Sequence, residues 1–180
     1  ILFSIVVFIG LSSAIIDAIY GGGELFPDRT DNSTVVAAEQ LELVADLPFP
    51  PGNVAVNRDG RLFFTFHPEG APQFNIAELV DGQIQELTFK SDRPVELESV
   101  LSLRVDQQNR LWLLDYAHHG TGTPKILAIS LDTMELVHYH EFSSDIAPLG
   151  SHMNDFQVDA SGQYIFIADA SIFGLDPAVI

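Results

Sequence analysis

The stretch SLRVDQQNRLWLLDYA, residues 102–117, reads as an apolar strand, a polar turn and a second, more strongly apolar strand. The same pattern precedes it as GNVAVNRDGRLFFTFHP at 52–68 and follows it as DFQVDASGQYIFIADAS at 155–171. Each copy has an apolar residue, then Val, then Asn or Asp, then a turn closed by Gly or Asn. Gly60, Asn109 and Gly162 stand where a tight hairpin needs positive φ. The strands after the turns, LFFTF, LWLLD and YIFIAD, are rich in aromatic and branched residues. Their nearly continuous apolar character suits strands buried between stacked sheets. They end near His67, Asp115 and Asp169.

A second hairpin lies between successive copies. FNIAELVDGQIQELTF at 74–89 alternates around Asp81-Gly82, and PKILAISLDTMELVHYHEF at 124–142 turns at Leu131-Asp132-Thr133. Val56, Val105 and Val158 mark equivalent points, so the period is about 50 residues, that of propeller blades. Two hairpins per period make four strands, one blade. The expectation is an all-β chain of four-stranded antiparallel sheets in series, a β-propeller. Turns should fall near Asp59, Asp81, Asn109, Asp132 and Ser161, and the Trp112 ring should be buried between sheets. Two periods and the start of a third make about two to three blades, too few to close a ring. The expectation is therefore the first part of a longer propeller.

The chain of 180 residues has twenty-five acidic and eight basic side chains, a formal charge of −17. Such a surface repels a phosphate backbone, which argues against nucleic acid as a partner. With no cysteine there is neither a disulfide framework nor a thiol nucleophile. Residues 1–16, ILFSIVVFIGLSSAII, carry no charge, and Asp17 ends the run. Residues 1–20 are expected to form a signal peptide or membrane anchor, the chain's one link to a membrane, with an apolar helix that packs little against the sheets. Residues 21–42, rich in Gly, Asp, Asn, Ser and Thr, read as a linker, and residues 43–180 as the partial propeller domain. Asn32-Ser33-Thr34 is a glycosylation sequon.

The runs GRLFFTFHP, NRLWLLDYA and the stretch from Pro124 to Ser171 resemble the major royal jelly protein and yellow family, particularly its bacterial members. The similarity covers residues 43–180, and its most specific parts are Leu111–Asp115 and the hairpin from Pro124. The resemblance implies a six-bladed propeller, extracellular or periplasmic, that binds a small organic ligand at the mouth of its central channel. Some insect members resemble enzymes that rearrange dopachrome. No catalytic motif of that family carries over to named residues here, so catalytic and metal-binding residues stay unassigned, and no cofactor is implied.

Loops at one rim of a propeller build its ligand site. The candidate ligand-binding residues are therefore the polar ones flanking the apolar strands: Asn53, His67, Glu98, Asp115, Asn154, Asp155 and Asp169. Each of the Asn and Asp residues also has an ordinary alternative role in satisfying its own turn. Glu98 has no standard turn role. The mouth is expected at the rim carrying Asn53, Glu98 and Asn154. His118 and His119 read as loop residues, His138 and His140 as residues of an exposed outer strand, and His152 as a better site candidate.

Two other functions stay open. Gluconolactonase-like propellers hold a divalent cation such as calcium with Glu, Asn and Asp, and Asn154 and Asp169 resemble two of those positions. The Glu expected before the first blade is replaced here by Pro51-Gly52-Asn53, which removes a charged ligand. A non-catalytic scaffold for protein interactions is the third reading. No Gly-x-Ser-x-Gly elbow and no phosphate-cradling loop are present.

Overall fold

The structure, a computed structural model, describes residue 15 and residues 38–172. The chain divides into two units, Ile1–Glu42 and Leu43–Ile180. The apolar segment 1–20 and the sequon fall outside the described residues, Ile15 apart.

The second unit is built of antiparallel sheets. β1 (Pro51–Val56), β2 (Leu62–Phe66), β3 (Ile76–Val80) and β4 (Gln83–Glu86) form the first, in that order. β5 (Val100–Val105), β6 (Arg110–Asp115), β7 (Lys125–Ser130) and β8 (Glu135–Glu141) form the second in the same order. β9 (Met153–Val158) pairs with β10 (Ile165–Asp169) in a third. Val56 pairs with Leu62, Val105 with Leu111 and Val158 with Ile165, so the repeat read from the sequence is also the register of the structure. That register makes Phe66, not His67, the counterpart of Asp115 and Asp169.

The hairpins form where the turn chemistry placed them. Gly60, Asn109 and Gly162 have φ of 81°, 57° and 70°, and Asp81-Gly82 has 50° and 75°. The turn at 131–134 puts Met134 at φ 54°.

Period-two alternation with both faces covered explains why the centres of strands β2, β6 and β7 are nearly continuously apolar. Phe63, Leu111, Leu113, Leu127 and Ile129 belong to a core between the first and second sheets. Their neighbours Trp112, Leu114, Ile126 and Ala128 turn to the other face and pack with Met153 and Phe156 of the third sheet. Trp112 is 3% exposed. The middle strands β6 and β7 thus serve two interfaces, and their central positions are apolar on both faces. Phe64, Phe66 and Ala77 form a third cluster on the far face of the first sheet, under Leu47, Phe49 and Phe74.

β1, β5 and β9 are edge strands of their sheets, and they lie side by side. Gly52 permits the approach of β1 to β5, because a Cβ there would come within 2.6 Å of Thr65 Oγ1 and 3.1 Å of Leu101. Buried Thr65 donates to the Leu101 carbonyl at 2.7 Å and accepts from the Asn53 amide at 2.9 Å, tying the two sheets. At the turn end, Asn57 Nδ2 donates to Asn109 Oδ1 (3.1 Å) and Gln108 Nε2 to the Ser161 carbonyl (3.1 Å).

Candidate functional site

Counting three residues back from Val56, Val105 and Val158 gives Asn53, Ser102 and Asp155, equivalent positions on the three edge strands. The structure joins all three. Arg104 Nη2 donates to both carboxylate oxygens of Asp155 at 2.7 Å, and its Nη1 donates to Asn53 Oδ1 at 2.9 Å. Ser102 Oγ donates to Asp155 Oδ1 at 2.7 Å. One guanidinium nitrogen thus spans both carboxylate oxygens while the other holds Asn53, so the charge-assisted contacts tie Arg104 to both neighbouring sheets. Arg104 and Asp155 remain partly open to solvent, with side chains 24% and 42% exposed. Arg104 also lines a cavity of about 230 Å³ between Val56, Val105 and Val158, with Arg58, Gln107 and Gln157 around it.

Arg104 was absent from the sequence-derived candidates, because its partners lie about fifty residues away on either side and no local pattern links them. The phase of the repeat was the usable signal: it aligns Asn53 with Asp155 and puts an arginine two residues from their counterpart Ser102.

The remaining candidates lie at the end where β1, β5 and β9 begin and β2, β6 and β10 finish. Fully buried Asp115 accepts from the amides of Glu98 (2.8 Å), Ser99 (2.9 Å) and Ala117 (2.9 Å). Lys125 Nζ reaches Glu98 Oε1 at 2.9 Å, the Glu96 carbonyl at 3.0 Å and Asp115 Oδ2 at 3.4 Å. A buried ammonium so surrounded has its charge matched and its donors used. Burial would raise the Glu98 carboxyl, but Lys125 and the Thr123 amide outweigh it and hold it below its ordinary value. Gly122 lets Glu98 lie against the backbone, since a Cβ there would collide with its carboxylate.

Asp169 repeats the role of Asp115. It accepts from the amides of His152 (2.7 Å) and Ser171 (2.9 Å) and from the Ser151 hydroxyl. Its carboxylate oxygens are thereby occupied, and Asn154 is exposed. Among the described residues no group of three His, Asp or Glu side chains is placed to hold a metal ion. His67 precedes a single 3-10 turn, Pro68–Gly70, and its amide donates to the Pro50 carbonyl at 2.8 Å. His118 and His119 sit in a left-handed turn, and His152 lies against His119 and Tyr116. His138 and His140 are exposed on β8.

Four-stranded antiparallel sheets in series, with their first strands converging, define a propeller-type chain. Residues 98–176 match the family model described as major royal jelly protein, which bears out the resemblance read from the sequence. No curated protein matches the chain. A solved structure described as a proposed oxidoreductase (glucose dehydrogenase) from Thermus thermophilus is similar, with a TM-score of 0.49 and 12% identity over 71% of this chain. The similarity covers 39% of that solved chain.

Proposed function

We propose that the chain belongs to an extracytoplasmic, six-bladed propeller of the major royal jelly and yellow type that binds a small organic ligand where its first strands converge. The Asn53–Arg104–Asp155 layer carries this reading. It is polar, preorganised by three inter-sheet hydrogen bonds and half open, and it lies beside a cavity with the valines of all three repeats in its wall. The cavity wall combines those valines with convergent polar side chains, among them Arg104, Asn57 and Gln157, which can orient a small polar ligand. Export through the N-terminal apolar segment, and a dopachrome-type rearrangement as the activity, are the expectations the family resemblance adds.

The cation-dependent hydrolase fits less well, because Asp169 spends its carboxylate on three hydrogen-bond donors. Arg104 already supplies the positive charge at Asp155.

The test is thermal melting of the full-length protein against a panel of small phenols and carboxylates, repeated with Arg104→Gln. A compound that raises the wild-type midpoint and does so at least tenfold more weakly in the variant supports the site, since a ligand of the folded state stabilises by mass action. Equal shifts in both proteins would place the ligand elsewhere.

A further inference from the structure

Residues 117–120 form a turn of left-handed backbone, with φ of 48° at Ala117, 49° at His118, 61° at His119 and 74° at Gly120. Three of the four carry a Cβ, and each such residue is strained in that region. The turn persists because its surroundings determine it. Asp115 and Ser99 Oγ accept its first two amides at 2.9 and 2.7 Å, and the Gly150 amide donates to the His119 carbonyl at 2.8 Å. Gly120 approaches Pro148 so closely that a Cβ would lie 2.4 Å from its carbonyl oxygen.

The strain sets one side chain in place. The His119 ring lies 4.8 Å from Tyr116 and 4.8 Å from His152, edge-on to the latter, and Tyr116 and His152 are 5.1 Å apart. Glu69, on the loop after β2, reaches His119 Nε2 at 3.9 Å. One cluster thus joins the loop after β2, the loop after β6 and the segment leading into β9, one from each sheet.

From this geometry we infer that Tyr116, His119 and His152 form an acid-released clasp between the ends of the second and third sheets, with Glu69 of the first sheet's loop beside it. An imidazolium needs acceptors for both ring N–H groups. His119 Nδ1 is itself buried with no hydrogen-bond partner, so this ring offers its neighbour no compensating contact. Protonated His152 would meet the edge of the same ring. The charged and titratable groups facing the pair are His67 and Glu69 from the first sheet's loop, Tyr116 from the second's, and Asp169 on β10. Burial, then His119, then His67 disfavour the charged form of His152, while Asp169 and Glu69 favour it, and the balance falls below the ordinary value. A histidine held low in the fold contributes stability that is complete above about pH 6.5 and is lost as the pH falls below it.

The test is hydrogen exchange of the full-length protein at about pH 5 and about pH 7.5, corrected for intrinsic rates, with no ligand present. The amides of His118, Gly120 and Gly150 report the clasp. The expected result is at least tenfold loss of protection at these amides at the lower pH, with the β6 and β7 amides unchanged. His152→Phe, which keeps an aromatic edge and removes the charge, should abolish that pH dependence. Protection that is independent of pH in the wild type, or equally dependent in the variant, overturns the clasp. Should the variant not fold, ring titration of the wild type decides: His152 protonating at or above the value of free histidine also overturns it. Neither readout involves the ligand site, so its failure would leave the Arg104 proposal standing.

Discussion

Asp106 shows how much one buried carboxylate organises. It accepts from Trp112 Nε1 and Arg110 Nε at 2.7 Å each, and from the Gln108 and Arg110 amides. Burial would raise its carboxyl, but these donors outweigh it and hold it below its ordinary value. A depressed carboxylate contributes stability that is present above the unfolded value near pH 4 and is lost as pH falls through the folded one. Trp112→Phe removes one charge-assisted bond and keeps most of the ring. It should cost about 1.5–3 kcal/mol in urea titration and move the acid-unfolding limb to higher pH. Asp115→Asn is more severe, because it removes the charge opposite Lys125 and places an amide NH2 against the Glu98 N–H and the Lys125 ammonium. A loss of about 3 kcal/mol or more is expected by the same measurement, with a smaller loss for Glu98→Gln, whose partner retains Asp115.

At the scale of the element, what could be read from the sequence depended on whether the backbone geometry demanded a particular residue. Gly60, Asp81-Gly82, Asn109 and Gly162 announced their hairpins because few other residues tolerate positive φ. The left-handed turn at 117–120 carries only Gly120 as a marker, and its cause lies in Asp115, Ser99 and Pro148, so no local reading found it. Asn53 and Asp155 were legible as polar groups at strand starts, but the arginine joining them was not. Asp115 was legible as a strand end, although its use as a backbone acceptor is visible only in the fold. Asn109 separates conformation from side-chain bonding. Its amide accepts from Asn57 and donates to Asp132 at 2.7 Å, while its backbone sits at φ 57°. Asn109→Ala loses both and should cost about 1–2 kcal/mol in denaturant, whereas Asn109→Gly keeps the backbone and should cost less. Equal losses would mean that the side-chain bonds alone hold the turn.

Over the whole molecule the governing quantity is the charge of −17, and two physical origins for it lead to opposite behaviour in salt. If the acidic excess is a diffuse solubilising surface, its self-repulsion is screened by any electrolyte. If part of it forms a cation site, a divalent ion must stabilise beyond screening, and must saturate. The described carboxylates at the strand ends favour the first origin: Asp115 and Asp169 are occupied by backbone donors, Glu98 by Lys125 and Asp155 by Arg104. The melting midpoint of the full-length protein should therefore rise with sodium chloride, rise equally with calcium chloride at matched ionic strength, and stay unchanged by a chelator at constant salt. A calcium increment that exceeds the sodium curve, saturates below millimolar concentration and survives Arg104→Gln would establish a cation site away from the Arg104 layer. An increment that appears only in Arg104→Gln would have the opposite meaning. It would show that the guanidinium occupies the place a cation could take, and that Asp155 and Asn53 are free to bind one only when the guanidinium is removed.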